Sequence, residues 1–400
     1  MQYWTNKETA ESILDIILNI DRIGEEKYKG NVLNVNYTNY KAKTLNEKQI
    51  FDTIQEVKKV VNNLEDGYRK NYLLEKLEAD EYFLRYLSGD DIKYPKLLEK
   101  IEQLPCEEIE EEKYLSKRES VEKLTTELGY KGNLKEKIEN WLEDGYLNKN
   151  EVVEYAKKYV NKFKEKTREK VLYLTENEGI ESVNPIQDVF WSGFSKYTGN
   201  HKGTLTFNID KKWNRYIFLH VLSHEAYPGH QAFYSRWDYL LKNDKFPLEA
   251  SYYSLNEPNN SIFEGVPENA IDFIGLMDEN DIFNEKEQKN IILAKRYNEF
   301  FRIVQTNASY YYNTGKMNKK EVLNYMNEKA FINELDSENT YKFFTSKLNG
   351  ICYPSYYYGK NIIEEQFSKA KNIDKNKYFK EIYDNPHTNN TLKNRFSELF

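Results

Sequence analysis

Over most of the first 175 positions apolar residues recur at intervals of three and four, the spacing that lines one face of an α-helix. TNKE at 5–8 reads as a capping box, with Ile13, Ile16, Ile17 and Ile20 behind it. Segments 50–64 and 72–87 repeat the pattern, and turn signals at Gly67, Gly89, Gly129 and Gly132 separate such segments. The segment 175–191, with Gly179 and Pro185, predicts a boundary between a helical region 1–178 and a second region 179–400. Just after it comes the single convincing strand pattern. In GTLTFNID at 203–210, Leu205, Phe207 and Ile209 alternate with Thr204, Thr206 and Asn208. Helical spacing then returns over 213–227, 261–277, 285–314, 319–332 and 359–371. The pattern predicts a mainly α fold with a small sheet beside the helix that begins near 213.

Composition narrows the partners. Apolar residues at 39% against charged residues at 31% fit a folded chain rather than a disordered one. A net charge of −7, from 65 acids interspersed with 58 bases, offers no field for a polyanion, so nucleic acid is excluded as a partner. The two cysteines, Cys106 and Cys352, stand far apart without a partner motif, which fits a reducing compartment. The first twenty residues lack a basic stretch, and Asp15 interrupts their apolar run, so neither a signal peptide nor an anchor is expected. No run approaches the roughly 20 apolar residues of a membrane span. The expected location is cytoplasmic.

Chemistry concentrates in LHVLSHEAYPGHQAF at 219–233, which holds three of the five histidines. His224 and His230 are six apart, about 600° of ideal helix, and a straight helix cannot offer both to one ion. Pro228 lacks the N–H that would reach His224 and clashes with the preceding turn, and Gly229 lets the backbone turn away. A kink there would bring His230 back toward His224. His220 and His224, four apart, share a face with no kink and remain a rival ligand pair. Glu225 adjoins either pair as a candidate general base, and Glu264 is the candidate third ligand, with Glu268 one turn on as its rival.

HEAYPGH followed by an EG pair resembles the domain-of-unknown-function 885 family of zincin-like bacterial metallopeptidases, with HEAxPGHH and EGWA blocks. Residues 224–230 match the first block, Gln231 stands where a second histidine is common, and Val266-Pro267 replace Trp-Ala after Glu264-Gly265. SYYYG at 355–359 and GTLTFN at 203–208 resemble two further blocks. Thr306 and Tyr310 depart from an acid and a histidine that follow Arg302 in the family. The resemblance implies a large helical, gluzincin-type fold and a Zn2+ ion held by His224, His230 and Glu264. Glu225 would be the catalytic carboxylate, with Tyr356, and less strongly Arg302, stabilising the oxyanion. The implied substrate is a peptide, paired along the strand that carries Thr206 and Asn208. Two other readings use the same residues: a catalytically inactive zinc-containing domain that binds peptide or protein, and a zinc hydrolase of a small amide or ester.

Overall fold

Asparagine side chains cap seven of the helices. In the computed structural model, which describes residues 2–38, 40–278 and 282–400, Asn46, Asn133, Asn284 and Asn318 each form a capping box with the residue three further on. The first helix is capped one position later than the sequence suggests. Asn6 accepts from the Thr9 N–H at 3.0 Å, while the Thr5 hydroxyl donates to Glu249 at 2.7 Å.

The N-terminal helices are α1 (Lys7–Tyr28), α2 (Glu47–Asn62), α3 (Tyr68–Ser88), α4 (Tyr94–Leu97), α5 (Glu111–Glu127), α6 (Leu134–Asp144) and α7 (Val152–Lys170). A π-helical turn, Leu98–Glu102, extends α4. Strands β1 (Asn34–Asn36) and β2 (Tyr146–Leu147) lie among them. Next come β3 (Gly179–Ile186), β4 (Gly193–Gly199), β5 (Lys202–Asn208) and β6 (Trp213–Asn214), then α8 (Arg215–Glu225), α9 (His230–Lys242) and β7 (Tyr252–Ser254). The chain closes with α10 (Asn260–Glu268), α11 (Ala270–Phe273), α12 (Glu285–Asn313), α13 (Lys319–Ala330), α14 (Glu334–Phe344), α15 (Ser355–Ala370), α16 (Lys375–Asp384) and α17 (Asn389–Leu399).

The protein is therefore mainly α with small sheets. The three-stranded sheet has the order β3-β5-β4, with β5 parallel to β3 and antiparallel to β4. Segment 175–191, read from sequence as a boundary, thus supplies a strand of the sheet that carries 203–208. Two short antiparallel pairs, β1-β7 and β2-β6, tie the first 150 residues to later ones. The largest core joins α1 to α3 and α7 to α8 through α10, and reaches Leu392. A second core lies among α5, α6, α12, α13 and α14. Among the described residues no helix is long and apolar enough to cross a membrane.

Candidate metal centre

The site grows from the end of α8. Asn214 caps this helix, its side chain accepting from the Tyr216 and Ile217 N–H groups at 3.0 and 3.4 Å. Phe218 packs edge-on to Phe207 of β5 and Trp213 of β6, which fixes α8 on the sheet. The helix stops at Glu225, and α9 starts afresh at His230 across a cis Tyr227–Pro228 bond. The expected kink is a complete break between two helices. Gly229 donates to the Ser223 carbonyl at 3.1 Å, and a Cβ at 229 would overlap the His224 carbonyl oxygen. Only glycine fits this close approach. The break is pinned from outside: Tyr383 donates to the Pro228 carbonyl at 2.6 Å, and Tyr227 and Gln231 donate to buried Glu178 at 3.0 and 3.1 Å.

This break brings His230 beside His224, with ring centroids 4.8 Å apart and planes at 86°. Glu264 of α10 completes the group: its Oε2 lies 3.2 Å from His224 Nε2 and 3.8 Å from His230 Nε2. All three residues are under one-tenth exposed, and Glu264 Oε2 has no hydrogen-bond partner among the described residues. A tetrahedral zinc site with bonds near 2.0 Å has ligand atoms roughly 3.3 Å apart. The three atoms therefore fit such an ion by type, by spacing and by the unspent valence of Glu264. Burial lowers the His224 imidazole to a pKa of about 3 and that of His230 to about 4, so both rings keep a neutral lone pair. Burial likewise raises Glu264 to about 7 and Glu225 to about 8, the latter also because Glu264 is near. Two buried carboxyls pushed upward in this way form a pocket that a divalent ion would relieve.

His220 faces another group. Its Nε2 lies 3.2 Å from Glu268 Oε2 and 3.0 Å from the Asn298 amide nitrogen, and Asn298 also donates to Glu268 at 2.9 Å. Arg302 donates to the other Glu268 oxygen at 2.8 Å. Against burial, Arg302 and then His220 hold the Glu268 carboxyl well below the usual range. His220, His224 and Glu268 are close enough to be considered as ligands. Glu268, however, already takes hydrogen bonds from an arginine and an amide and pairs with His220, whereas Glu264 Oε2 has no hydrogen bond among the described residues.

Around the cluster, the Glu225 side chain lies beside Gly193 of β4 and borders two cavities. One, of about 280 Å³, is walled by aromatic residues that include Trp213, Tyr297, Phe301 and Phe343. The other, of about 70 Å³, lies against Leu33, Tyr234 and Leu255. Tyr356 of α15 stacks near His224 at 6.1 Å, and its phenol is close enough to Glu264 to lower that carboxyl against burial. The guanidinium of Arg302 lies over the Tyr356 ring at 4.4 Å.

Of the two strand residues expected at the substrate site, Asn208 lines the larger cavity beside Glu225, whereas Thr206 borders neither cavity. Both edges of β5 are occupied by β3 and β4, so this strand has no free edge for a peptide; of the two strands beside Glu225, β4 is the one at the sheet edge. The Asn208 amide donates to the Val189 and Trp191 carbonyls at 2.9 and 3.1 Å, and anchors the segment between β3 and β4. Thr306 and Tyr310 border neither cavity, and the Tyr310 hydroxyl accepts from Lys316 at 2.6 Å. Sequence reasoning missed Glu178 and Asn298. The only sequence signal for Asn298 is its place one turn before Arg302 on α12.

Fold and site together define a mainly α protein in which a small sheet flanks a buried His-His-Glu cluster. Two solved structures share the fold. One is the "putative lipoprotein" from Colwellia psychrerythraea, with a TM-score of 0.58 and 15% identity over 90% of this chain. The other is a "putative lipoprotein of unknown function" from Shewanella oneidensis, with a TM-score of 0.52 and 14% identity over 88% of this chain. This chain spans 64% of the first protein and 71% of the second. No protein-family model and no curated protein matches the chain. Membership of the domain-of-unknown-function 885 family, expected from HEAYPGH, therefore does not hold: the likenesses lead instead to lipoproteins of unknown function. The expected cytoplasmic location does not hold either, because the proteins that share the fold are described as lipoproteins. The HEAYPGH pattern is too short to fix a family, and the first residues of a chain are a weak guide to its address.

Proposed function

We propose that the protein is a zinc-dependent hydrolase of peptide bonds in short oligopeptides. The observation that carries this reading is Glu264 Oε2, without a hydrogen bond among the described residues and buried between two neutral imidazole nitrogens with Glu225 alongside. A zinc ion held by His224, His230 and Glu264 would supply Lewis acidity toward a carbonyl oxygen and acidify a water molecule. Glu225 takes the proton of the attacking water on its carboxylate and hands it to the leaving amine nitrogen. The Tyr356 hydroxyl, beside Glu264, donates to the carbonyl oxygen as negative charge gathers there. The aromatic cavity of about 280 Å³ takes a substrate side chain and keeps water from the reacting atoms.

The same cavity size favours a second reading, hydrolysis of a small amide or ester, since a long chain needs more room. The test covers both. Zinc content and cleavage of a mixed peptide library and of small amides and esters are measured for wild type, Glu225→Gln and His230→Ala. Glu225→Gln should retain zinc and lose cleavage, and His230→Ala should lose both. Cleavage confined to the small substrates selects the second reading. A zinc-loaded wild type that cuts nothing overturns both and leaves a zinc-containing binding domain.

A further inference from the structure

One guanidinium touches both sides of the candidate metal cluster. Arg302 projects from α12 and donates through Nη2 to Glu268 Oε1 at 2.8 Å, while its planar face covers the Tyr356 ring at 4.4 Å. Each of these two neighbours abuts one of the candidate ligands. Glu268 Oε1 lies 3.7 Å from His224 Nδ1, on the opposite side of the ring from the Nε2 that faces Glu264. Tyr356 interacts electrostatically with Glu264 and stacks its ring near His224. The chain of contacts closes on itself: His224, Glu264, Tyr356, Arg302, Glu268 and His224 again.

We propose that Arg302 is the positioning residue of the cluster, setting the affinity for a divalent cation by fixing Glu268 behind His224 and Tyr356 beside Glu264. The inference rests on the zinc reading proposed above. An imidazole binds a metal through Nε2 only when its proton sits on Nδ1, and a carboxylate on the Nδ1 side favours that tautomer and makes the ligand more basic. At 3.7 Å the contact is longer than a hydrogen bond, so Glu268 acts on His224 through its field and through where it is held. It is held firmly. Its side chain is 2% exposed, Asn298 donates to one oxygen and Arg302 to the other.

The arrangement also commits most of the Arg302 guanidinium to its neighbours, with Nε left without a hydrogen-bond partner among the described residues. Its charge is paired with Glu268, Nη1 points to Gln305 at 3.4 Å, and its face is spent on Tyr356. Lysine cannot reproduce this. A guanidinium is a planar fork that can donate along its edge and stack through its face, whereas an ammonium is a point charge.

The test reads metal affinity without turnover. Zinc dissociation constants are measured on metal-free protein by competition with a chromophoric chelator for wild type, Arg302→Lys, Arg302→Met, Glu268→Gln and the Arg302→Met/Glu268→Gln double variant. Metal-free melting temperatures are recorded alongside. Glu268→Gln should weaken zinc by about 10- to 100-fold, the usual effect of losing an outer partner of a ligand. Arg302→Met should weaken it at least as much, Arg302→Lys should fall between Met and wild type, and the double variant should lose less than the product of the singles. Affinity within about threefold of wild type in Arg302→Met, or independent losses in the double variant, overturns the proposal. So does a lowered melting temperature with unchanged affinity, which marks a purely structural role. If Arg302→Met fails to fold, Arg302→Lys and the near-isosteric Glu268→Gln decide the matter by the same criterion. Failure of the zinc reading is distinguishable, because wild type itself would then bind no zinc.

Discussion

Gly265 of α10 and Gly359 of α15 lie against each other where the two helices cross, and a Cβ on Gly265 would overlap the Gly359 carbonyl. A Cβ on Gly359 would overlap the Ser261 carbonyl in turn. Glu264 precedes the first glycine and Tyr356 lies one turn before the second, so this close crossing is what brings the phenol to the carboxylate. Gly265→Ala should force the helices apart at a cost of about 3 kcal/mol, the upper part of the usual range for overpacking. Urea unfolding checks the stability loss, and a zinc titration checks the weaker binding expected when Glu264 shifts. A fully stable Gly265→Ala protein with unchanged zinc affinity would show that the crossing has slack.

The two histidine pairs make opposite predictions under alanine substitution. His230→Ala removes a ligand of the group around Glu264, so zinc content should fall from one ion per chain to near none. His220→Ala removes a partner of Glu268, which keeps Asn298 and Arg302, so zinc should be retained with affinity lowered about tenfold at most. Metal analysis of the dialysed proteins distinguishes the two. The reverse pattern would assign the ion to Glu268.

Periodicity was enough to locate α12, α13 and α15 and the strand 203–208, because each sets a long apolar stripe or a clean alternation against polar neighbours. It missed β3, whose Pro185 and Gly179 look like loop residues, and it missed α14, α16 and α17, whose buried faces are short. The break at Pro228-Gly229 was legible because proline and glycine act locally. The choice between Glu264 and Glu268 was not, since both lie on one helix a turn apart. Only the placement of Asn298 and Arg302 on α12 separates them, and no local pattern encodes contacts made across 30 or more residues.

Asn208 offers a separate check on its place in the fold. Its amide holds the Val189 and Trp191 carbonyls, and the segment it anchors carries Phe190 to within 5.6 Å of Phe343 across the larger cavity. Asn208→Ala should cost about 1–3 kcal/mol by leaving these carbonyls unpaired, with zinc content unchanged. Urea unfolding together with metal analysis reads both quantities. Full stability in the variant would contradict an anchoring role.

Glu178 gives a pH dependence that can be separated from the metal. Its carboxylate is buried under the break between α8 and α9, accepts from Tyr227, Gln231 and Ser235, and is raised by burial to a pKa of about 7. The native state therefore keeps a proton here that the unfolded chain releases near pH 4.5. The stabilisation is fully present below that pH and is lost as pH rises toward 7, a change of about 3 kcal/mol at most for a shift of this size. Glutamine in its place cannot ionise, and the Ser235 hydroxyl can turn to accept from the new amide. Glu178→Gln should thus match wild type near pH 4.5 and become progressively more stable than it between pH 5 and 8. Urea unfolding of both proteins with metal chelated, at pH 5, 6, 7 and 8, measures the difference. Parallel stability curves would mean that Glu178 ionises normally in the folded protein.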